Sequence, residues 1–345
     1  MPVPANRARV TVGIPTFNRS ALLPEAIASV LAQSYGDFVL EISDNASTDD
    51  TADVVAAFDD ARISYRRRPE NVGLYQNWNQ FYLDATTDYV LVLPDDDLLH
   101  PRFLERTVAA LDNHPRAGMV HTAFDLVDRN GELIGGGNWT GGLVEDTVES
   151  PEKFVEQSMR WSCRVCSTTA LVRVAAIPDK GMPEDDHPAS DFALWLRLAA
   201  AGYDVVFLAD RLASNRVHEA AESAAQIGPS QNGAYLLDLQ TVDRVRNVKL
   251  RFIEEHGSQV GNPRKLRRLA RWGAHYQVLS IVTRKTLERR DLRFRRSRFF
   301  GEAAAVDSSI VWSEVLWRSI AADLTRPVRH RLRGRSLNDT YGGRA

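Results

Sequence analysis

Nothing in this chain of 345 residues approaches the ~20 consecutive apolar residues that a membrane-spanning helix requires. Met1 to Val12 also lacks the long apolar stretch of a secretory leader, so a cytoplasmic protein is expected. Cysteine is scarce. The two present, Cys163 and Cys166, exclude a disulfide framework. A lone Cys-x-x-Cys with no second pair and no nearby histidine is a poor zinc site, so two buried or half-buried thiols are expected. Internal repeats and low-complexity tracts are lacking as well.

What is present is an ordinary globular composition, 44% hydrophobic and 26% charged, with ample material for a core. The net charge of −2 hides an asymmetry. From Thr241 to Ala345 there are 24 basic residues against 10 acidic, a surplus of 14, while Met1 to Gln240 has 19 against 35, a deficit of 16. The two regions must face different partners, or each other.

The first part of the chain alternates strand and helix signals. Strands are predicted at Arg9–Pro15, Phe38–Ile42, Arg62–Tyr65, Asp88–Leu93, Ala117–His121, Cys166–Val172 and Tyr203–Leu208. Helices are predicted after an N-cap at Ser20, from the Ser43–Asp50 loop through Phe58, and at Tyr75–Ala85, Pro101–Leu111, Thr147–Trp161 and Asp191–Ala201. The glycine-rich stretch Asn130–Gly142 reads as a hairpin or loop. Beyond Tyr235 the pattern is helical and arginine-rich, with no convincing strand. This spacing predicts an α/β fold: a Rossmann-like, mainly parallel sheet flanked by helices, with a helical C-terminal extension. The expected division is a first domain over 1–230 and a basic helical region over 231–345.

The most informative run is Leu93-Pro94-Asp95-Asp96-Asp97. Val90 to Leu93 is apolar, so the three carboxylates fall at the carboxyl end of a buried strand, the edge where open α/β sheets hold ligands. Adjacent carboxylates repel, and a divalent cation shared with a phosphate would relieve them. The alternative is a solvated acidic turn capping the helix near Pro101.

Three other polar turns follow predicted strands: Gly13-Ile14-Pro15-Thr16-Phe17-Asn18-Arg19, Ser43-Asp44-Asn45-Ala46-Ser47-Thr48-Asp49, and Glu70-Asn71-Val72-Gly73. Together, in this order, the four segments resemble the nucleotide-sugar half of inverting glycosyltransferases of the GT-A fold, family 2, over about Arg9 to Ser223. The resemblance implies that Pro15, Thr16 and Phe17 flank a base with Asn18 nearby. It implies that Asp44 accepts from the ring N–H of uracil or thymine, as a group that accepts but cannot donate would. Asn71 and Gly73 would approach the nucleotide. Asp95 would bind ribose and Asp96 a Mn²⁺ or Mg²⁺ ion, with Asp97 as a supporting or alternative ligand. Two departures stand out: Pro94 replaces the first Asp of the common Leu-Asp-x-Asp-Asp, and Trp78 replaces an Arg before Asn79.

Ser190-Asp191-Phe192-Ala193-Leu194-Trp195-Leu196-Arg197 resembles the family's Glu-Asp-x-x-Leu-Trp-Leu-Arg, with Ser190 in place of Glu. The likeness makes Asp191 the catalytic base; alternatively it is an N-terminal charge on a helix dipole. Glu184, Asp185 and Asp186 are rivals for the role. Arg216-Val217-His218 with Ser223 matches a segment whose His completes the metal site, and an imidazole ligand suits Mn²⁺ better than Mg²⁺; the alternative is a solvated histidine. The implied reaction is inverting transfer of a sugar from a UDP- or dTDP-sugar to an acceptor hydroxyl on a saccharide, a lipid-linked saccharide or another molecule. A nucleotidyltransferase would usually want a lysine in an early glycine-rich loop, and Gly13–Arg19 has none. A non-catalytic nucleotide-sugar binder with a decayed site is disfavoured by the retained Asp44, Asp95, Asp96, Asp191 and His218. The stretch Arg289–Phe300 interleaves arginine with apolar residues, which suits either an anionic membrane face or packing against the acidic domain. No nucleic-acid partner is expected, for want of any recognisable module.

Overall fold

A computed structural model describes residues 8–288, apart from 138–141, 162, 188, 219–226, 229–235 and 238. The first half is a series of strand and crossover helix: β1 (Val10–Thr16), α1 (Leu23–Leu31), β2 (Phe38–Asp44), α2 (Thr51–Ala56), β3 (Ile63–Arg67), α3 (Leu74–Asp84) and β4 (Tyr89–Val92). Then come β5 (Leu98–Leu99), α4 (Phe103–Asn113), β6 (Ala117–Val127), β7 (Leu133–Gly137), β8 (Thr147–Glu149), α5 (Pro151–Arg160), β9 (Leu171–Arg173), α6 (Ser190–Ala200) and β10 (Asp204–Arg216). A two-residue pair, β11 (Ile227–Gly228) and β12 (Leu236–Leu237), precedes α7 (Leu239–His256) and α8 (Pro263–Glu288).

The main sheet has the order β3-β2-β1-β4-β9-β6-β10-β5, with β7 on β6 and β8 on β10. Its first four strands are parallel, as the strand–helix spacing predicts. Short β9 runs antiparallel to both β4 and β6, so the sheet as a whole is mixed. β10 is again parallel to β6, which returns its carboxyl end to the same rim as that of β4.

Every residue of β1 is buried, as expected for a strand covered on both faces. On one face Val10, Val12 and Ile14 pack with Leu23, Ile27, Phe103 and Leu111. On the other, Val90 and Val92 pack with Phe81, Phe154, Phe192 and Trp195. Gly13 is required between β1 and α3: a Cβ there would lie 2.3 Å from the Phe81 ring.

The helices α7 and α8 complete the second face. Val245, Val248, Phe252, Ile253, Leu266 and Ala270 are buried in the same cluster as Trp195. Arg251 pairs with Asp186 at 2.6 Å, Lys265 pairs with Glu156, and buried Lys249 donates to the Met159 carbonyl at 3.0 Å. These contacts agree with basic helices laid on an acidic domain. The Arg289–Phe300 stretch lies outside the described residues. Among the described residues no helix is long and apolar enough to cross a membrane.

Five local expectations change. The predicted strand Cys166–Val172 shrinks to β9, its first part forming a 3-10 turn at Ser167–Thr169, and the two-residue β12 falls in the stretch beyond Tyr235 where no strand was expected. The predicted helix Thr147–Trp161 begins only at Pro151, because Thr147–Glu149 is drawn into the sheet beside β10 and Ser150 caps the helix by accepting from the Lys153 N–H. Ser20 does not cap α1; its N–H donates to Asp49, and the helix starts at Leu23. β6 and β10 run past His121 and Leu208 because they pair with each other almost to their ends.

Candidate active site

The turn after β4 carries the three carboxylates in three directions. Asp95 turns back toward the end of β1. Burial and the charge of Asp96 push its carboxyl up to about 7, while the Thr16 side chain and the Phe17 N–H work against the rise. Asp96 faces His218, with Oδ2 2.9 Å from Nε2 and the two side chains 14% and 6% exposed. Asp97 is 1% exposed. It accepts from the Thr168 hydroxyl, from Asn215 Nδ2 at 3.0 Å and from the Arg216 N–H at 2.8 Å. Burial and Asp96 hold Asp97 well above the usual carboxylate range. This is not a solvated turn, and α4 starts without any side-chain cap from it. Asp97, expected as a direct or supporting ligand, is turned inward, with its oxygens already held by protein donors.

The end of β10 meets this turn. The Arg216 guanidinium is buried and donates to the Asp96 carbonyl at 2.8 Å, the Arg129 carbonyl at 2.7 Å and Glu25 of α1 at 2.7 Å. It therefore fixes the backbone of Asp96 from behind while His218, two residues on, meets the side chain from the front. Among the described residues no group of three or more His, Cys, Asp or Glu side chains converges on one point. The Asp96–His218 couple offers one carboxylate and one imidazole, a donor set that fits a divalent cation completed by phosphate oxygens.

A short 3-10 turn, Ser167–Thr169, lies just before β9. Thr168 donates to Asp97, and the adjacent Ser167 hydroxyl donates to Asp191 Oδ2 at 3.0 Å. Asp191 occupies the first turn of α6 and accepts from the Phe192 N–H at 2.7 Å. Burial raises its carboxyl, and the Phe192 and Ser167 bonds oppose that rise. The triplet and Asp191 thus share one support. Of the rivals, Glu184 and Asp185 are exposed, while Asp186 is buried against Arg251. Cys163 is half-buried and Cys166 buried, both unbridged, as expected; burial pushes the Cys166 thiol up to about 12.

The loops after β1, β2 and β3 adjoin one another. Asn18, with φ of 53°, takes the left-handed conformation that asparagine tolerates. Its Oδ1 accepts from the Thr48 N–H at 2.8 Å, and its own N–H donates to Ser47 at 2.9 Å. Asn45 Nδ2 donates to Asn71 at 2.9 Å and its Oδ1 accepts from the Val72 N–H at 2.9 Å, clasping the Asn71–Gly73 turn. Phe17 projects outward, 42% exposed, beyond buried Pro15 and Thr16. Asp44 lies below these loops: Oδ1 accepts from the Ser47 N–H at 2.7 Å and Oδ2 from the Tyr65 hydroxyl at 2.6 Å. The Arg67 guanidinium lies 3.6 Å from Oδ2. The Asp44 side chain is 1% exposed, with the Tyr65 hydroxyl bonded to Oδ2.

Sequence reasoning passed over Tyr65, Ser167, Thr168 and Asn215, and it gave Arg216 and Asn79 no role. Asn79 was noted only as a family match, yet its amide exchanges two bonds with Met182, both at 2.7 Å, tying α3 to the loop before Asp191. The signal the sequence held was Arg216 itself, an arginine two residues before the candidate ligand His218.

The model of glycosyl transferase family 2 matches residues 11–154, and that of glycosyl transferase family group 2 matches residues 89–328. EpsE of Bacillus subtilis (strain 168), a glycosyltransferase by assignment, is 35% identical over 201 residues, spanning 56% of this chain and 68% of that protein. A GalNAc(5)-diNAcBac-PP-undecaprenol beta-1,3-glucosyltransferase of Campylobacter jejuni is 32% identical over 152 residues, 43% of this chain and 47% of that one. Of a Rickettsia conorii glycosyltransferase the chain spans 31%. Among solved structures, S. aureus TarS superposes with a TM-score of 0.59 at 16% identity, over 88% of this chain and 82% of that one. The mannosyltransferase PcManGT of Pyrobaculum calidifontis, in complex with GDP-Man and Mn²⁺, gives 0.53 at 18%, over 94% and 88%. At such identities these two speak for the fold, which is that of GT-A glycosyltransferases. With the family models spanning both halves of the sheet and EpsE matched over most of its length, the chain belongs to glycosyltransferase family 2, a family of sugar-transferring enzymes.

Proposed function

We propose that this chain moves a sugar from a nucleoside diphosphate donor to an acceptor hydroxyl with inversion at the anomeric carbon, using Asp191 as the base. The observation that carries the reading is the 3-10 turn whose neighbouring hydroxyls hold Asp97 and Asp191, so that the acidic turn and the base candidate share one rim. Asp191 accepts the proton of the acceptor hydroxyl as its oxygen attacks, and the nucleoside diphosphate departs from the opposite side of the sugar. Phe17 gives the base a face to lie on, while Asn18, Asn71 and Gly73 frame its edge. Asp44, under Tyr65, is the acceptor for the N–H of uracil or thymine, and Asp95 receives the ribose. Asp96 and His218 would hold a divalent cation, Mn²⁺ in preference to Mg²⁺, which when bound offsets charge on the departing diphosphate. Among the relatives, TarS structures hold UDP and UDP-GlcNAc, and the Campylobacter enzyme is named for a lipid-linked saccharide; both fit such a donor and such an acceptor here.

A thermal-shift screen of UDP-, dTDP-, CDP- and GDP-sugars, with and without Mn²⁺, tests the reading, since a ligand bound only by the native state raises the melting temperature. A Mn²⁺-dependent rise with a UDP- or dTDP-sugar is expected. A rise with GDP-sugars alone would overturn the assignment of Asp44, and no rise with any donor would overturn the proposal.

A further inference from the structure

The outward face of α8 is a feature that the crevice does not use. Arg264, Arg268, Trp272 and Tyr276 follow one another at i, i+4 spacing and so form one ridge, with Arg267 and Arg271 beside it. All four arginines are exposed, and none has a carboxylate partner among the described residues. At the other end of the ridge the aromatic side chains cluster. Trp272 and Tyr276 stack with ring centroids 5.6 Å apart, and Trp161 meets each edge-on at 5.6 Å. Tyr276 is 43% exposed, and the Arg160 guanidinium lies over the Trp272 ring. Gly273 makes the cluster possible: a Cβ there would lie 2.3 Å from the Arg160 carbonyl, so only glycine lets α8 come down on the end of α5.

We propose that this face docks on an anionic lipid bilayer, the arginines against the headgroups and the Trp161–Trp272–Tyr276 cluster at the interface. Charge argues for that occupant. Residues 289–345 add 13 arginines against six acidic residues, so the C-terminal region as a whole carries a strong positive surplus. The body before Gln240 has its deficit of 16 charges, so an anionic surface repels it and draws the α8 side inward. Aromatic side chains with one polar edge are what the headgroup level favours. The use of the surface, meeting an acceptor carried by a lipid, rests on the proposed function; the surface itself does not.

Flotation of the full chain with phosphatidylcholine vesicles, with and without phosphatidylglycerol, tests it. The chain is expected to float with the anionic vesicles, less so as salt is raised. Arg264→Gln/Arg267→Gln/Arg268→Gln/Arg271→Gln removes about fivefold per arginine and so lowers partitioning by at least about a hundredfold. Because those side chains are solvent-facing, its circular dichroism and its transfer to a soluble acceptor stay unchanged. Tyr276→Ala weakens binding in vesicles of either composition. Undiminished flotation of the fourfold variant overturns the proposal, as does a change in its oligomeric state with flotation intact. A chain that floats but binds no nucleotide sugar would instead refute the proposed function and leave the docking face standing.

Discussion

Ser167 and Thr168 are adjacent in the chain and serve two different carboxylates, which makes this pair the tightest link between base and acidic turn. The Ser167 hydroxyl favours ionised Asp191, against the burial that raises its carboxyl. Removing that donor in Ser167→Ala raises the carboxyl further. A base must be ionised to act, so the acid limb of the kcat profile moves to higher pH, and an unmoved limb would show that Asp191 does not titrate in turnover. Asp95 gives a stability prediction of defined sign. Its folded value is raised from 3.8 to about 7, so the native state holds the proton more tightly than the unfolded chain. The linked stabilisation is full below the ordinary carboxylate value and is lost as pH rises toward about 7. Without divalent cations, Asp95→Asn should therefore flatten the fall of Tm over that window. A parallel fall in both proteins would mean that Asp95 is ionised throughout.

At the scale of elements, the loop before α6 is held by α3. Asn79 both donates to and accepts from the Met182 backbone, and Gly181 beside it, at φ of 56°, has no room for a Cβ against the Asn79 amide. Asn79→Ala leaves two backbone groups without partners, a local cost of about 1–3 kcal/mol. The expected result is a raised acceptor KM with donor affinity unchanged, together with faster proteolysis between residues 178 and 190; equal change in both substrates would contradict it. The same scale shows what the sequence made legible. Polar turns after β1, β2, β3 and β4 stand out because each follows an apolar strand in a parallel block. β8 does not, since three residues show no period and its pairing with β10 is made from far along the chain. The role of Asp97 was hidden for the same reason: its donors Thr168 and Arg216 lie 71 and 119 residues away. Asp44 could be picked out as an acceptor, but not its cover by Tyr65, which only the β2–β3 register brings to it.

For the whole molecule, the charge asymmetry of the sequence becomes a geometry. Basic α7 and α8 close one face of an acidic sheet domain through Arg251–Asp186 and Lys265–Glu156, and the arginines that find no such partner face outward. The crevice belongs to the other end of the same body, where β1, β2, β4 and β10 all finish. A parallel block built by spacing alone was readable; the antiparallel β9 that sets the Ser167–Thr168 turn between the two carboxylates was not, because its pairing is tertiary. The account as a whole depends on separate duties for Asp96 and Asp191 within one site. Donor affinity and turnover measured side by side in Asp96→Asn and Asp191→Asn test this most directly. The account predicts that Asp96→Asn loses Mn²⁺-dependent binding of the nucleotide sugar, while Asp191→Asn keeps that binding and loses turnover by about 10²–10⁴-fold. Near-normal turnover in Asp191→Asn, or donor binding untouched in Asp96→Asn, would contradict it.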